Sequence, residues 1–279
     1  MTQPLPSQHF SKDAPLISPD AFPSWIIHED DDILVLNKPG WLVCHPSKNG
    51  PWSSLVGAAK EYLEVDSIHL ASRLDRETSG VVLLAKHKAA ARYWQKGIEE
   101  KKVRRAYLAI LKGELNEDQT VETYLGNDPS SEVFVKQMVV GKTRKSKFAQ
   151  TKFSPLFSQN GYTFCRVLTQ TGRKHQIRVH AQWMGFPLVG EKLYGADERI
   201  YLEFCAHGWR DEWDDILGMP RQALHGRSLY DQGTGQAFHA PLPRDLLDFL
   251  QNQLSLSYEA IQERILSEDF CFLANEPKN

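Results

Sequence analysis

Short apolar runs that are typical of β-strands, separated by turn residues, recur along most of the chain. The first covers residues 33–37 and ends at the turn 38–40, and the second covers 81–86. Further strand-like runs lie at 106–113, 134–140, 148–157, 162–170, 223–229 and 236–243. A chain with this pattern must bury the apolar faces of its strands in a shared sheet.

Three segments have the periodicity of helices instead. Across 87–102, apolar residues recur at steps of three and four, as on an amphipathic helix. Thr171 and Gly172 open a second, short helix that continues to about residue 184, and 242–254 with the segment beyond it predicts a third helical region. Because the helices do not alternate regularly with the strands, we expect an α+β fold with a mixed, mainly antiparallel sheet core and flanking helices and loops.

The two ends of the chain differ from its middle. Five prolines within the first 23 residues predict an irregular N-terminal arm over 1–28. We expect one main domain over 29–250 and a helical tail over 251–279. The start of the chain has no basic segment followed by an apolar core, and no apolar run approaches the roughly 20 residues of a membrane span. We therefore expect a cytoplasmic protein with no membrane association.

The net charge of −2 conceals an uneven distribution of charged residues. Basic residues cluster at 101–105, 142–147 and 173–178, whereas acidic residues cluster at 29–32 and 211–215. Any single cluster is compatible with an ordinary solvated face. Three basic clusters together allow a positive face on a nearly neutral molecule, as a nucleic-acid partner requires.

Cysteine and histidine spacing gives no indication of a metal site. Cys44, Cys165, Cys205 and Cys271 lie far apart without a CxxC pair, which argues against a zinc ribbon or a disulfide framework. His175 and His180 are five residues apart, unlike the HExxH spacing that places two ligands on one helical face. We expect no bound metal.

The segment 73–80, with the sequence RLDRETSG, holds Asp75 between Arg73 and Arg76 and in front of a turn. Nearby cations and backbone N–H donors favour the ionised form of a carboxylate, which can then act as a nucleophile at neutral pH. A turn aspartate in a surface ion pair has the same sequence pattern. The segment alone leaves both interpretations open.

Further segments, together with the segment around Asp75, resemble the motifs of a known protein family. They read ILVLNKPGWLVCHPS, RRAYLAILKG, AQTKF, TGRKHQIRVH with GFPLVGEKLYG, and RQALHGRSL with FHAPLPRDL. Together and in this order, from about Ile33 to Leu247, they resemble the RluA-type RNA pseudouridine synthases. The resemblance implies the pseudouridine synthase fold, with 29–250 as the catalytic domain. Nothing in the arm resembles the small RNA-binding domain that some members carry.

The resemblance implies an isomerase that needs no cofactor. Such enzymes break the bond between C1′ and N1 of a uridine within RNA, rotate the uracil and rejoin it through C5. Asp75 matches the catalytic aspartate, Tyr107 the active-site tyrosine that stacks on the base, and Arg178 the basic residue that pairs with the carboxylate. Read alone, Tyr107 would more often be a half-buried strand residue. The implied partner is ribosomal or transfer RNA, bound by a monomer.

The target uridine must flip out of its helix, so we expect cations and polar groups around the nucleophile to hold the RNA. The expected substrate-binding residues are Arg73, Arg76, Thr78, Arg173, Lys174, Gln176, His180, Lys101, Lys102, Arg104 and Arg105.

Two features depart from the family pattern. Ser72 stands where the family usually has histidine, which puts the choice of RNA in doubt but leaves the nucleophile intact. The segment 199–220 is longer than the family minimum, and its role stays open. An alternative hypothesis is a catalytically silent RNA-binding or RNA-chaperone module on the same fold, which predicts a broken Asp, Tyr, Arg set.

Overall fold

The computed structural model describes residues 15–45 and 49–274 and contains one eleven-stranded sheet in this part of the chain. The strands are β1 (Ile26–Glu29), β2 (Ile33–Lys38), β3 (His69–Leu70), β4 (Ser79–Ala85), β5 (Val103–Lys112), β6 (Gln119–Asn127), β7 (Gln137–Val140), β8 (Lys147–Gln159), β9 (Tyr162–Thr169), β10 (Leu224–Asp231) and β11 (Ala237–His239). The α-helices are α1 (Leu55–Leu63), α2 (Lys88–Glu99), α3 (Gln176–Trp183), α4 (Arg199–His207), α5 (Asp214–Leu217), α6 (Arg244–Leu254) and α7 (Tyr258–Ala274).

The sheet is mixed and mainly antiparallel. Its strand order is β1-β2-β4-β10-β5-β9-β8-β6-β7, with β3 also on β4 and β11 also on β10. Among the strands of the described residues, only β4 and β10 run parallel. The α+β prediction is confirmed.

Strand β4 is buried on both faces, which explains its continuous apolar sequence. Val82 and Leu84 pack into the cluster that contains α1, whereas Val81 and Leu83 pack with Trp94 of α2 on the opposite face. The two helices therefore cover opposite sides of the strand that follows the segment 73–80.

Several elements differ from the sequence predictions. Helices α1 and α4 and strand β6 were not predicted. In α1, Ser54 caps the N-terminus by accepting a hydrogen bond from the Gly57 N–H at 3.1 Å. Helix α3 begins at Gln176 rather than at Arg173, because His175 has a left-handed φ of 53° that breaks the helical path.

The predicted arm and tail both reach into the packed core. Phe22 is fully buried, and Ile26–Glu29 pairs with β2 as β1. The predicted boundary after residue 250 lies inside α6, and Ile261 of α7 packs into the same cluster as α6. Residues 1–14 of the arm and 275–279 of the tail lie outside the described residues. No helix in the described ranges combines the length and apolarity that a membrane crossing needs.

The parallel contact between β4 and β10 fixes the end of the segment 73–80. Ser79 pairs with His225 and Gly80 with Gly226. The Ser79 hydroxyl lies 2.9 Å from Nδ1 of the buried His225, whose Nε2 lies 3.2 Å from the carbonyl oxygen of Ala240. Burial lowers the pKa of His225 to about 3, so the neutral ring accepts from Ser79 and donates to Ala240.

Glycine at position 80 is required by this contact. Its φ is +116°, and a Cβ there would overlap the backbone of Gly226. We expect Gly80→Ala to lower the free energy of unfolding by about 3 kcal/mol or more, measured by urea denaturation. Gly161→Ala is the matched control, because Gly161 also has a positive φ (+77°) but a Cβ there meets no heavy atom within 4 Å. The control should cost only about 1 kcal/mol, and equal costs would contradict the close-approach argument.

Candidate active site

A surface pocket lies where the segment 73–80, strand β5 and the start of α3 meet. Asp75, Tyr107 and Arg178 all line this pocket, although they are far apart in the sequence. Four of the residues expected to bind substrate line it too: Arg73, Thr78, Arg173 and Gln176. The fold thus brings the three predicted catalytic residues together.

Arg178 links Asp75 to a second carboxylate that was not predicted. Its Nη1 donates to Oδ2 of Asp75 at 3.0 Å. Its Nε and Nη2 donate to the two oxygens of Glu191 at 2.8 and 2.7 Å. The guanidinium therefore makes its two-point pair with Glu191 and gives Asp75 one hydrogen bond. Glu191 fixes the plane of the guanidinium and aims its third nitrogen at Asp75.

The surroundings of Asp75 favour its ionised form. Burial raises the pKa of this carboxyl, but the charge of His175 when protonated, the permanent charge of Arg178 and the hydrogen bond from Arg178 together lower it. The net effect is a pKa below the usual aspartate value. Since His175 is itself neutral near pH 7, the charge and the hydrogen bond of Arg178, with a hydrogen bond from Gln222, are the causes that lower the pKa of Asp75 at neutral pH.

Tyr107 forms one wall of the pocket. In the sheet it pairs with Gly226 of β10 and Val167 of β9. Its ring is half-buried and packs against two apolar clusters, which include Leu74 on one side and Ile177 on the other. An aromatic ring held in this way beside a carboxylate can stack on a planar base.

Buried cations hold the backbone around Asp75. Lys38, fully buried at the end of β2, donates from Nζ to the carbonyl oxygen of Arg76 at 3.2 Å, and burial lowers its pKa to about 8. Arg221 donates to the carbonyl oxygen of Glu77 at 3.0 Å. Lys192 pairs with the Glu77 carboxylate at 2.9 Å. Three distant segments therefore fix the turn that presents Asp75.

Thr78 and Gln222 extend this support into the pocket. The buried amide of Gln222 donates from Nε2 to the Thr78 hydroxyl at 2.6 Å, and a Gln222 hydrogen bond also helps to lower the pKa of Asp75. The Thr78 N–H closes the turn by donating to the carbonyl oxygen of Asp75 at 3.1 Å. Although Thr78 lines the pocket, its hydroxyl and its N–H are both hydrogen-bonded within the protein.

The Gln176 amide, which was predicted to contact substrate, makes its hydrogen bonds within the protein. Its Nε2 donates to Gln150 O and Thr151 Oγ1 at 2.9 and 2.8 Å. Its Oε1 accepts from Thr171 Oγ1 and Arg173 N at 2.7 and 3.0 Å. A buried amide with these partners stabilises the loop before α3. It has little hydrogen-bonding capacity left for RNA.

His180 and Arg76 were also predicted to bind substrate, and neither of them lines the pocket. His180 is fully buried, with its two ring nitrogens 2.9 Å from the hydroxyls of Thr123 and Thr151. The guanidinium carbon of Arg76 lies 5.8 Å from the Trp41 ring centroid and 6.0 Å from that of Phe204. The buried ring of His180 has no exposed surface for RNA, whereas contact of the half-buried Arg76 with RNA stays a prediction.

The remaining predicted cations lie at different distances from Asp75. Arg73, Arg173 and Lys174 are exposed around the pocket. The guanidinium of Arg105 lies against Gly172 of the pocket loop.

Lys101, Lys102 and Arg104 belong to a more remote part of the predicted RNA surface. Lys102 precedes Tyr107 by five residues, so it lies roughly 17 Å along the strand direction, and it pairs with Glu100 at 2.7 Å. Lys101, beside it, is exposed, and Arg104 contacts Gln232. Their roles in RNA binding stay predictions.

The unassigned segment 199–220 covers the back of the turn that presents Asp75. Phe204 of α4 packs on Trp41 with ring centroids 5.9 Å apart, and its ring lies 4.7 Å from Nζ of Lys192. This cover keeps water from the buried pair between Lys192 and Glu77.

His175 completes the pocket beside Asp75. Its Nε2 lies 3.9 Å from Oδ2 of Asp75, and its Nδ1 lies 2.7 Å from the Tyr194 hydroxyl. Within residues 15–45 and 49–274, no group of three or more His, Cys, Asp or Glu side chains is placed to hold a metal ion. Glu191, Gln222 and Tyr194 were missed from the sequence, although charged and polar residues within apolar segments are a signal of buried pairing.

Known proteins resemble this chain in sequence and in fold. A family model described as RNA pseudouridylate synthase matches residues 32–183, just over half of the chain. Ribosomal large subunit pseudouridine synthase D of Haemophilus ducreyi is 30% identical over 254 residues, covering 88% of this chain and 75% of that protein. The uncharacterized RNA pseudouridine synthase YjbO of Bacillus subtilis is 31% identical over 237 residues, covering 82% of this chain and 76% of that protein.

Solved structures support the fold. Human RNA Pseudouridylate Synthase Domain Containing 4 matches with a TM-score of 0.66 and 24% identity, over 84% of this chain and 94% of that chain. Human RNA Pseudouridylate Synthase Domain Containing 1 matches with a TM-score of 0.63 and 21% identity, over 91% of this chain and 96% of that chain. From the matched family model and the relatives, the chain belongs to the RluA-type branch of the RNA pseudouridylate synthase family and is an isomerase that acts on uridine in RNA.

Proposed function

We propose that the chain converts specific uridines of ribosomal RNA, transfer RNA or both into pseudouridine, with Asp75 as the nucleophile. The observation that carries this proposal is the 3.0 Å hydrogen bond from Arg178 to Asp75 in a pocket walled by Tyr107. Relatives named as ribosomal large subunit pseudouridine synthases favour ribosomal RNA. The enzyme works as a cytoplasmic monomer without a cofactor.

The first step is extrusion of the uridine from its helix. Neither C1′ nor C5 is accessible to a side chain while the base is stacked, and flipping costs a few kcal/mol. Exposed Arg73, Arg173 and Lys174 surround the pocket and offset this cost by contacting phosphates. Arg73 fills the space that the flipped base leaves in the helix.

The second step is cleavage and rejoining of the glycosidic bond. Ionised Asp75 attacks C1′, and the bond to N1 breaks with its electron pair leaving on the uracil; addition of Asp75 to C6 is the other route that this geometry permits. The uracil then rotates while stacked on Tyr107. C5 then bonds to C1′. Asp75 is released from C1′ in the first route and from C6 in the second. The C5 proton is lost to a base, for which the Tyr107 oxygen or water is available.

Loss of the Asp75 carboxylate should stop isomerisation without stopping RNA binding. We expect Asp75→Ala and Asp75→Asn to release no tritium from ribosomal and transfer RNA transcripts labelled at uridine C5, whereas the wild-type enzyme releases it. RNA affinity in filter binding should stay within about tenfold, because phosphate contacts lie on other residues.

The controls separate the alternatives. Release by the Asp75 variants at the wild-type rate would remove Asp75 from the chemistry. Loss of RNA binding in Asp75→Asn would show a structural role. An inactive wild-type protein that binds RNA would favour the silent RNA-binding module.

The rate of the chemical step should be insensitive to pH between 7 and 5. Because the pKa of Asp75 lies below the ordinary aspartate value of 3.8, this carboxylate is ionised throughout the range. Protonation removes the nucleophile only at a pH below 3.8. His175, with a pKa lowered to about 4 by burial and by Arg178, is neutral throughout this range. Single-turnover tritium release at saturating RNA measures this rate. A fall with a midpoint near pH 6 would contradict these assignments.

A further inference from the structure

His175 is a pocket residue that the mechanism above does not use. Its side chain is only 11% exposed, and it lines the same pocket as Asp75 and Tyr107. It also occupies the left-handed backbone region, with φ 53° and ψ 19°, directly before α3. A histidine in that region is uncommon, and the ring lies between Asp75 and the Tyr194 hydroxyl.

Hydrogen bonding around Tyr194 fixes the position of the proton on the His175 ring. The backbone N–H of Gln137 donates to the Tyr194 oxygen at 2.9 Å. The Tyr194 hydroxyl is buried, and within the described residues its one acceptor is Nδ1 of His175, at 2.7 Å. A buried hydroxyl needs an acceptor, so Tyr194 donates and Nδ1 accepts. The proton of the neutral ring is therefore on Nε2.

The Nε2–H of His175 is a donor without a close partner in the described part of the chain. Oδ2 of Asp75 lies 3.9 Å from this nitrogen, which is too far for a hydrogen bond. Asp75 and Glu191 favour protonation of this ring, whereas burial, Arg178 and Lys174 oppose it, and the pKa falls to about 4. Near pH 7 the pocket thus presents a neutral N–H donor beside the nucleophile.

We propose that His175 contacts the substrate, donating from Nε2–H to a carbonyl oxygen of the flipped uracil. This inference rests on the proposed function. When the bond between C1′ and N1 breaks, the departing electron pair spreads over the ring onto its carbonyl oxygens, and a preorganised donor stabilises that charge. A charged imidazolium would instead pair with Asp75 and weaken the nucleophile, so a neutral ring suits both groups.

Two substitutions separate the Nε2 donor from the rest of the side chain. Asparagine tolerates the left-handed region and places its amide near the position of Nδ1, so His175→Asn keeps the Tyr194 contact and removes the donor. Glutamine reaches the position of Nε2, so His175→Gln is the rescue variant. We expect His175→Asn to slow single-turnover tritium release about 100-fold with RNA affinity unchanged, and His175→Gln to recover at least tenfold of that loss. A wild-type rate for His175→Asn, or equal losses in both variants, would overturn the proposal.

The protonation state can be measured without RNA. In ¹⁵N-histidine-labelled protein, with the His175 signals identified by their absence in His175→Asn, we expect a neutral ring with its proton on Nε2 from pH 8 to pH 5. Tyr194→Phe removes the hydroxyl that donates to Nδ1 and should give a mixture of the two neutral forms. A proton on Nδ1, or a charged ring at pH 7, in the wild-type protein would overturn the proposal.

Sulfur substitution in the substrate tests the contact itself. A ribosomal or transfer RNA transcript in which the mapped target is 2-thiouridine or 4-thiouridine has a weaker acceptor at one carbonyl. One substitution should slow the wild-type enzyme several-fold more than it slows His175→Asn. Sensitivity at position 2 places the donor beside the leaving nitrogen, and sensitivity at position 4 makes His175 a reader of uracil over cytosine.

The thiouridine comparison and tritium release by the wild-type protein separate failure of this contact from failure of the proposed function. Equal slowing of both enzymes by both analogues would overturn the contact. A wild-type protein that releases no tritium from any transcript would overturn the proposed function itself, whatever the ring measurement shows.

Discussion

The buried guanidinium of Arg178, shared between two carboxylates, is the interaction on which the site depends. Glu191 is almost fully buried, and its pKa is kept low, against burial, by Arg178 and by the N–H groups of Leu193 and Tyr194. A buried ion pair offsets its desolvation only when its geometry is good and its remaining groups are bonded. Glu191 meets that condition, and the third nitrogen of Arg178 is thereby left for Asp75. The reactive carboxylate itself stays about one-third exposed, at 33%.

The same design recurs in the turn that presents Asp75. Lys38, Lys192 and Arg221 come from three separate segments, and each bonds a backbone or side-chain oxygen of residues 76 and 77. Such contacts form only when the sheet is complete, since the contact between β4 and β10 brings Arg221 and Gln222 beside this turn. Stability of the fold and placement of the nucleophile therefore depend on the same residues.

The sequence indicated the residues that line the pocket better than the buried residues that support them. Asp75, Tyr107 and Arg178 stand in segments whose residue types and order resemble a family, and the strand pattern predicted a mixed sheet. Glu191 and Gln222 were missed because their partners are set by tertiary packing. Gln176 and His180 lie one helical turn apart and both bond to Thr151 of β8, a pairing that a single polar segment does not reveal.

The most direct test of the central claim is the single-turnover rate of tritium release by Arg178→Lys. Lysine keeps the positive charge but cannot hold Glu191 at two points while reaching Asp75 with a third nitrogen. If the shared guanidinium places Asp75 for attack, the rate falls about 100-fold or more while RNA affinity is unchanged, as expected for a misplacement of about 1 Å. A rate close to that of the wild-type enzyme would show that charge alone is sufficient and would contradict the account.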